Sequence, residues 1–518
     1  MRLEITQSIN EKIKVCTAHN LVVADSRQEF FRTGAGANVV NFANHSLFLR
    51  NLSLTSTTGN FKLPELLIPD WQNPLAGLRA DASGTFDLSR LSGLLRGAAV
   101  GSTKVDLAGT GQLAMKIAAT GAGGRELTGE LRLADAGLVR EKKTIPVSKE
   151  LRLTARLVRQ DPEGAVDIKE LRLESDPLLV EGTGVISRGE RWRKIELQGR
   201  MTPKLEQLST VLRDGFGCDL RLAGGQSEPF LAQYPLDGGD GTGASLVTSL
   251  HADRLDYQGN EVRSLHMPFS LENGKLHLEA TGQLNAGKLV LIADSDLAGS
   301  GVITMPANSQ ILTGVQVRQP LADTLLSSLH PLFGPLARPS GQLDLRVDSL
   351  SWPLAADKKD AASLETVADL RDITLESSKT LQDILLLFGL EKEKIALGVS
   401  ELTCSGRQGR ITCTPLKLRV GEAEMAVSGS TGLDGTLDYL LELPVTRKLV
   451  SEEGYRLLQG ATVRVPLRGT LRAPVFDRAR TTAAVRDLRR QAASSLQAEK
   501  TKQRAAAGTR NKAQGKKE

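Results

Sequence analysis

The chain has 518 residues, 40% of them apolar, only 4% aromatic and 50 of them glycine, with a formal net charge of +6. That length predicts about two to four domains or a repeat array, and a glycine content above the usual share of roughly 7% with so few aromatics fits many short strands joined by turns and fits poorly with a large α/β enzyme. The charge marks no nucleic-acid-binding stripe, because Arg478 to Glu518 holds 12 Lys/Arg against 3 Asp/Glu and the rest of the chain is left at −3.

The opening, Met-Arg-Leu-Glu-Ile-Thr-Gln, alternates like a strand and does not read as a signal peptide. No stretch of about 18 apolar residues follows, so no transmembrane helix is expected. Targeting would then come from another chain or from sequence upstream. Leu88, Leu91, Leu94 and Leu95 share a helix face and close a first β unit at 1–97. Leu205, Leu208, Val211 and Leu212 do the same for 98–214, and Leu321, Leu325, Leu326 and Leu329 for 215–340. The pairs 91/95, 208/212 and 325/329 recur at a spacing of 117, the mark of a repeat whose short helix caps a run of strands.

Between these helices a period of two dominates. It runs through Glu130-Leu-Arg-Leu133, Glu150-Leu-Arg-Leu-Thr154, Glu170-Leu-Arg-Leu-Glu174 and Lys275-Leu-His-Leu-Glu279. It returns at Gln342-Leu-Asp-Leu-Arg-Val347 and Leu416-Lys-Leu-Arg-Val420. Such stretches predict antiparallel strands with one wet and one apolar face. The apolar positions Leu131, Leu133, Leu151, Leu153, Leu171, Leu173, Leu276, Leu278, Leu343, Leu345, Leu416 and Leu418 are the candidate contacts for an apolar ligand. Taken singly, an alternating leucine is more often a core residue than a ligand contact.

Towards the C-terminus, helices are expected from about Lys379 to Leu390 and from about Ser451 to Leu458, the latter ended by Gly460. Breaks fall near 64–77, 223–243 and 353–361. A region 341–477 is followed by the basic tail 478–518, read as a short frayed helix and then disorder. Of the four cysteines at 16, 218, 404 and 413, the last two lie on a hairpin. A two-residue turn at Gln408-Gly409 sets Cys404 opposite Cys413 at a Cα separation of about 4.5 Å, the short end of the disulfide range. A disulfide there fits an oxidising compartment, and two buried free thiols are the alternative. No CxxC or nearby histidine makes this pair a zinc site.

Catalytic patterns were sought and not found. The six histidines, at 19, 45, 251, 266, 277 and 330, form no HExxH. His266 and His277 would have to meet across a hairpin to hold a metal, and no metal or cofactor is assigned. Gly109-Thr-Gly and Gly121-Ala-Gly-Gly lack a strand-then-helix setting and read as turns, and Gly429-Ser-Thr-Gly432 is no nucleophile elbow. No enzyme is expected.

The segment 411–443, with Pro415-Leu-Lys-Leu-Arg-Val420 and Val427-Ser-Gly-Ser-Thr-Gly-Leu-Asp-Gly-Thr-Leu-Asp-Tyr-Leu-Leu-Glu-Leu-Pro444, resembles the closing part of AsmA-like proteins. Val463-Arg-Val-Pro-Leu-Arg-Gly-Thr-Leu-Arg-Ala-Pro474 is similar to their final strand, and Ser245 to Leu278 to their repeating hairpins. The resemblance implies a long amphipathic sheet curled into an open groove, tethered to the inner membrane and projecting into the periplasm. It implies kinship with bridge-like lipid transfer proteins and a part in outer-membrane lipid balance and assembly. Its partners would be phospholipid or another acyl-chain lipid, a membrane surface and envelope assembly proteins, with no nucleic acid. The family's N-terminal anchor has no counterpart in this sequence.

Elementary energetics agree with that expectation. A strand of about five residues spans roughly 17 Å, close to the ~15 Å of one leaflet's hydrocarbon. A 16-carbon tail resists crossing water by roughly 13 kcal/mol at about 0.8 kcal/mol per CH₂, and a greasy trough removes most of that barrier. The competing readings are an all-β scaffold with a closed core and, less favoured, a hydrolase on a β-solenoid.

Overall fold

A computed structural model of the chain describes residues 2–514, apart from 11–14, 26–27, 34–37, 42–45, 56–58, 70–76, 89–105, 121–123, 141–142, 161–163, 189–192, 237–242, 298, 335, 389, 391–393, 398–400, 421–422, 451 and 459. The described residues form mostly β structure, one large antiparallel sheet with a few helices. Two compact units divide the chain. The first comprises Met1–Tyr257, Arg263–Ala280 and Asp294–Ser300; the second comprises Gln258–Val262, Thr281–Ala293 and Gly301–Glu518.

The first unit is largely a meander. Gly59–Ile68, Arg79–Asp87, Asp106–Ala119, Arg125–Arg140, Lys143–Arg159, Val166–Glu174, Leu178–Arg188 and Arg193–Pro203 each pair with the next. One helix, Leu205–Phe216, carries the predicted apolar face and ends at Gly217, whose φ of +68° closes the last turn. It packs at Gly215 against Ile145, where a Cβ on the glycine would overlap the isoleucine side chain. Its Ser209 hydroxyl accepts from Leu222 N at 2.8 Å, pinning the next strand to the helix. The helix expected over Leu91, Leu94 and Leu95 lies outside the described residues.

The second unit is built on the same strands but closes its core. Along Arg410–Val420 and Leu437–Pro444 buried positions recur at nearly every second residue. Above them lie the segment from Gln319 to Leu329, with a π-helical turn at Ala322–Leu326, and the helix Lys379–Leu387. These helices follow the apolar spacing read from sequence, and Leu326, Leu381, Ile384 and Leu385 are fully buried. The Ser378 side chain accepts from Leu381 N and caps the second helix. The hairpin turn at Gln408-Gly409 has both residues at positive φ, +52° and +72°, the type I′ geometry that matches strand twist. It sets Cys404 opposite Cys413 in register, with a disulfide between them and the Cα atoms 4.0 Å apart.

The tail corrects an expectation. Instead of a short frayed helix and then disorder, Arg478–Gln514 is one helix of 37 residues. Its Ala, Arg, Gln and Lys content gives it high intrinsic helix propensity, and its first half is also held in place. Thr481 and Ala492 are buried, Arg489 Nε donates to the Leu449 carbonyl at 2.8 Å, and Lys500 pairs with Glu453 at 3.5 Å.

His330 lies in the second unit's core, its ring edge-on to Tyr439 at 5.0 Å and to Phe333 at 6.0 Å. Leu332 N donates to its Nδ1 at 3.3 Å. Burial pushes its pKa down to about 3, only partly countered by the Val427 backbone. The unfolded chain therefore binds one more proton than the folded one between about pH 6.5 and pH 3, and stability falls as the solution is acidified through that window. Urea titrations from pH 7 to 5.5, above most carboxylate titration, should show unfolding free energy declining with a slope approaching 1.4 kcal/mol per pH unit below about pH 6.5. The slope should flatten in His330→Asn; an equal slope in that variant would place the titrating group elsewhere.

Candidate functional site

Residues directly opposite one another in an antiparallel pair project to the same side of the sheet. Following the register across the eight strands of the meander gives one continuous row: Phe61, Gly84, Leu113, Leu131, Leu153, Leu173, Val180 and Met201. With neighbouring strands about 4.8 Å apart, the row runs for roughly 34 Å. A second row beside it holds Phe86, Gly111, Leu133 and Leu151. A third holds Ala82, Met115, Gly129, Ala155 and Leu171.

This face is apolar but only half covered. Leu131, Leu151, Leu153, Leu171 and Leu173 are all half-buried, and Leu276 and Leu278 likewise alternate with exposed Lys275, His277 and Glu279. The tightest packing is local, where Leu88, Leu133 and Ala136 gather Phe86, Leu131 and Leu151 around them. Two aromatic rings lie flat across the neighbouring strand. A Cβ on Gly84 would overlap the Phe61 ring, and one on Gly111 would overlap Phe86. Glycine opposite phenylalanine thus keeps the floor low, which explains part of the glycine excess in a chain so poor in aromatics.

The second unit's candidates stand differently. Leu343, Leu416 and Leu418 are at 0% exposure and Leu345 at 6%, packed within the helix-covered core. They are core residues and face no open trough, which corrects their selection as ligand contacts. The helices from Gln319 and Lys379 supply an apolar covering that has no counterpart over the meander's rows among the described residues.

The opposite face of the meander is wet. Glu130 bridges Arg132 and Arg152, each at 2.6 Å, and Glu126 pairs with Arg156 at 2.6 Å. These arginines are about half exposed, so solvent screening leaves each pair little to contribute. Two open hollows of about 650 and 590 Å³ sit over Gly59–Ile68 and its neighbours, lined mainly by Asn60, Thr85, Gln112 and Arg132.

Among the described residues no group of three or more His, Cys, Asp or Glu is arranged to hold a metal. His266 packs against His251 at a ring separation of 5.5 Å, whereas His277 bonds Asp294 at 2.7 Å. Hydrogen bonding to Asp294 raises the His277 pKa. Cys218 is a free thiol, and nothing is built around it.

The period of two in the sequence marks the leucines of Arg125–Arg140, Lys143–Arg159 and Val166–Glu174 but does not mark Phe61, Leu113, Val180 and Met201. Their own stretches alternate weakly, and only the register aligns them with Leu131 and Leu153. No protein-family model matches this chain, and no curated protein matches it in sequence. The chemistry of the site therefore rests on geometry.

The difference between the two faces has a direct consequence. Leu441→Ala, at a fully buried site, should cost about 2–5 kcal/mol, as large-to-small core substitutions do. Leu153→Ala, half exposed already, should cost less than about 1.5 kcal/mol, because little apolar area is lost and no cavity is left. Chemical denaturation of the two variants measures this, and equal losses would mean that the meander's apolar face is sealed.

Proposed function

We propose that this chain is an envelope protein that carries phospholipid, or another acyl-chain lipid, on the apolar face of its meander, in the service of lipid transport or outer-membrane biogenesis. The observation that carries the reading is the half-buried row from Phe61 to Met201. Aliphatic side chains floor it, glycines keep it low, and it is long enough to hold an acyl chain. On this reading the sheet curls into an open groove and the work is non-covalent. Lowering the desolvation barrier of a lipid tail needs apolar area and no catalytic group.

Several features support the setting. The Cys404–Cys413 disulfide fits an oxidising compartment such as the periplasm. Among the described residues no helix is long and apolar enough to cross a membrane. The C-terminal helix suits a membrane surface. Arg478–Gln514 holds 10 Lys/Arg against 2 Asp/Glu, and near an anionic bilayer each cation contributes about 1 kcal/mol. The resemblance of the segments 411–443 and 463–474 to AsmA-like proteins points the same way. The second unit favours the scaffold reading for its own part, since its core is full.

Organic extraction of the purified full chain followed by mass spectrometry tests the proposal. Phospholipid should be recovered from the wild type and lost from Leu131→Asp/Leu153→Asp, which places two charges on the row. The fold should survive, because both positions are half exposed. Wild-type protein free of lipid after gentle purification, and unable to take lipid from vesicles, would leave the closed-core scaffold as the better reading.

A further inference from the structure

The second unit gathers exposed leucines and cations at one end. The helix Lys379–Leu387 buries Leu381, Ile384 and Leu385, yet its last turn leaves Leu386 58% and Leu387 38% exposed. Phe388, the next residue, is buried again, and its carbonyl accepts from the Thr446 hydroxyl at 2.7 Å. One residue on, the Arg447 guanidinium lies over the Tyr455 ring at 5.4 Å, tying this turn to the short helix Glu452–Leu457. Leu449 is buried, and its carbonyl receives the Arg489 bond from the C-terminal helix. The short helix packs on that same helix, where Glu453 meets Lys500, and it exposes Leu457 beside Arg456. An unbroken chain of contacts thus joins three exposed leucines to the most cationic element of the chain.

The roll of the C-terminal helix is fixed. Thr481, Val485, Leu488, Ala492 and Ser495 recur at alternating steps of four and three and are buried or half-buried, so they form its packed side. Arg486 and Arg490, one turn apart, lie on the side away from it and are exposed. A single exposed leucine is ordinary, and a cationic helix alone is a solvated face. Their junction is what calls for a partner, because one surface answers both kinds of group. Anionic headgroups attract the cations, and the boundary with the acyl chains just beneath takes in the leucines. An acidic protein would meet the cations and leave the leucines in water. We propose that this end of the second unit is a docking surface for an anionic phospholipid bilayer, with Leu386, Leu387 and Leu457 entering the headgroup boundary and the C-terminal helix lying along the headgroups. The surface rests on the envelope reading for the presence of a bilayer and adds to it the part of the chain that meets one. It is separate from the meander's apolar row, so docking and cargo can each fail alone.

The test is co-sedimentation of the full chain with phosphatidylcholine vesicles made with and without phosphatidylglycerol. The wild type should bind the anionic vesicles about ten-fold or more tightly than the neutral ones, and the difference should shrink as added salt screens the charges. Arg486→Gln/Arg490→Gln should weaken binding to anionic vesicles by about twenty-fold, since each cation near the surface is worth roughly five-fold. Leu386→Ser/Leu387→Ser should weaken binding to both kinds of vesicle by about ten-fold or more. All four positions are exposed, so the thermal midpoints should stay at the wild-type value. Leu131→Asp/Leu153→Asp, the cargo variant of the first unit, should bind vesicles as the wild type does. If that variant alone loses the vesicles, the bilayer is met through the first unit and the docking surface is overturned. Equal binding to neutral and anionic vesicles, or binding unchanged in the arginine and leucine variants, overturns it too. Retention of the wild type by polyglutamate with no binding to vesicles overturns it in favour of an acidic protein partner. Vesicle binding that follows these variants while extraction recovers no lipid cargo leaves the docking surface standing and the carrier reading fallen.

Discussion

Cross-strand register is the constraint on which the rest of this molecule depends. A strand presents alternate residues to opposite faces, so a slip of one residue between neighbours would turn a greasy row into a wet one. Eight strands in succession keep the row from Phe61 to Met201 intact, and they do so where the sequence itself breaks step. Ile168 and Leu171 are separated by two polar residues, Lys169 and Glu170. The pairing with Lys143–Arg159 shifts there, so that Leu157 still meets Ile168 while Ala155 meets Leu171. At Asp135, with φ at +52°, a similar irregularity lets Leu133 and Ala136 both turn inward. Bulges spend an unpaired residue to keep the face continuous.

The described parts of the two units differ most in the covering layer. Both lay down one-sided strands, but helices arrive at different densities. The second unit interrupts its strands near Gln319, Lys379 and Glu452, and its core leucines lose all contact with water. The first has Leu205–Phe216 as the described helix of its meander, at one end of the strands. Twelve helical residues reach about 18 Å, against a row of roughly 34 Å, so this helix alone is too short to cover the row.

Much of this was legible in sequence, and the limits have physical causes. Period-two leucines announced antiparallel strands, and helical spacing announced the helices at Leu205, Leu321 and Lys379, because each pattern reports which side of an element is apolar. The Gln408-Gly409 turn fixed its own hairpin, so the placement of Cys404 opposite Cys413 needed no distant information. What a single strand cannot report is what lies above it. Leu153 and Leu418 sit in the same kind of alternation, yet one is half exposed and the other sealed, since the covering helices come from elsewhere in the chain. Phe61 and Met201 were missed for the related reason that their partners are set by pairing. The tail was misread because its composition suits a solvated coil as well as a helix, and the packing of Thr481 and Ala492 decides between them.

An open apolar face also bears on how the first unit stays folded. Its wet-face ion pairs are exposed and add little, so the meander is held chiefly by its ladder of backbone hydrogen bonds and by side chains that are only half buried. A ligand that covers the rows would bury more apolar area than any further contact within the protein, and it would bind the folded chain alone. By mass action its occupancy adds directly to the unit's stability. On the proposed reading, the features that would make the face a carrier's surface also make its fold sensitive to cargo, while the second unit, with its disulfide and filled core, draws its stability from within.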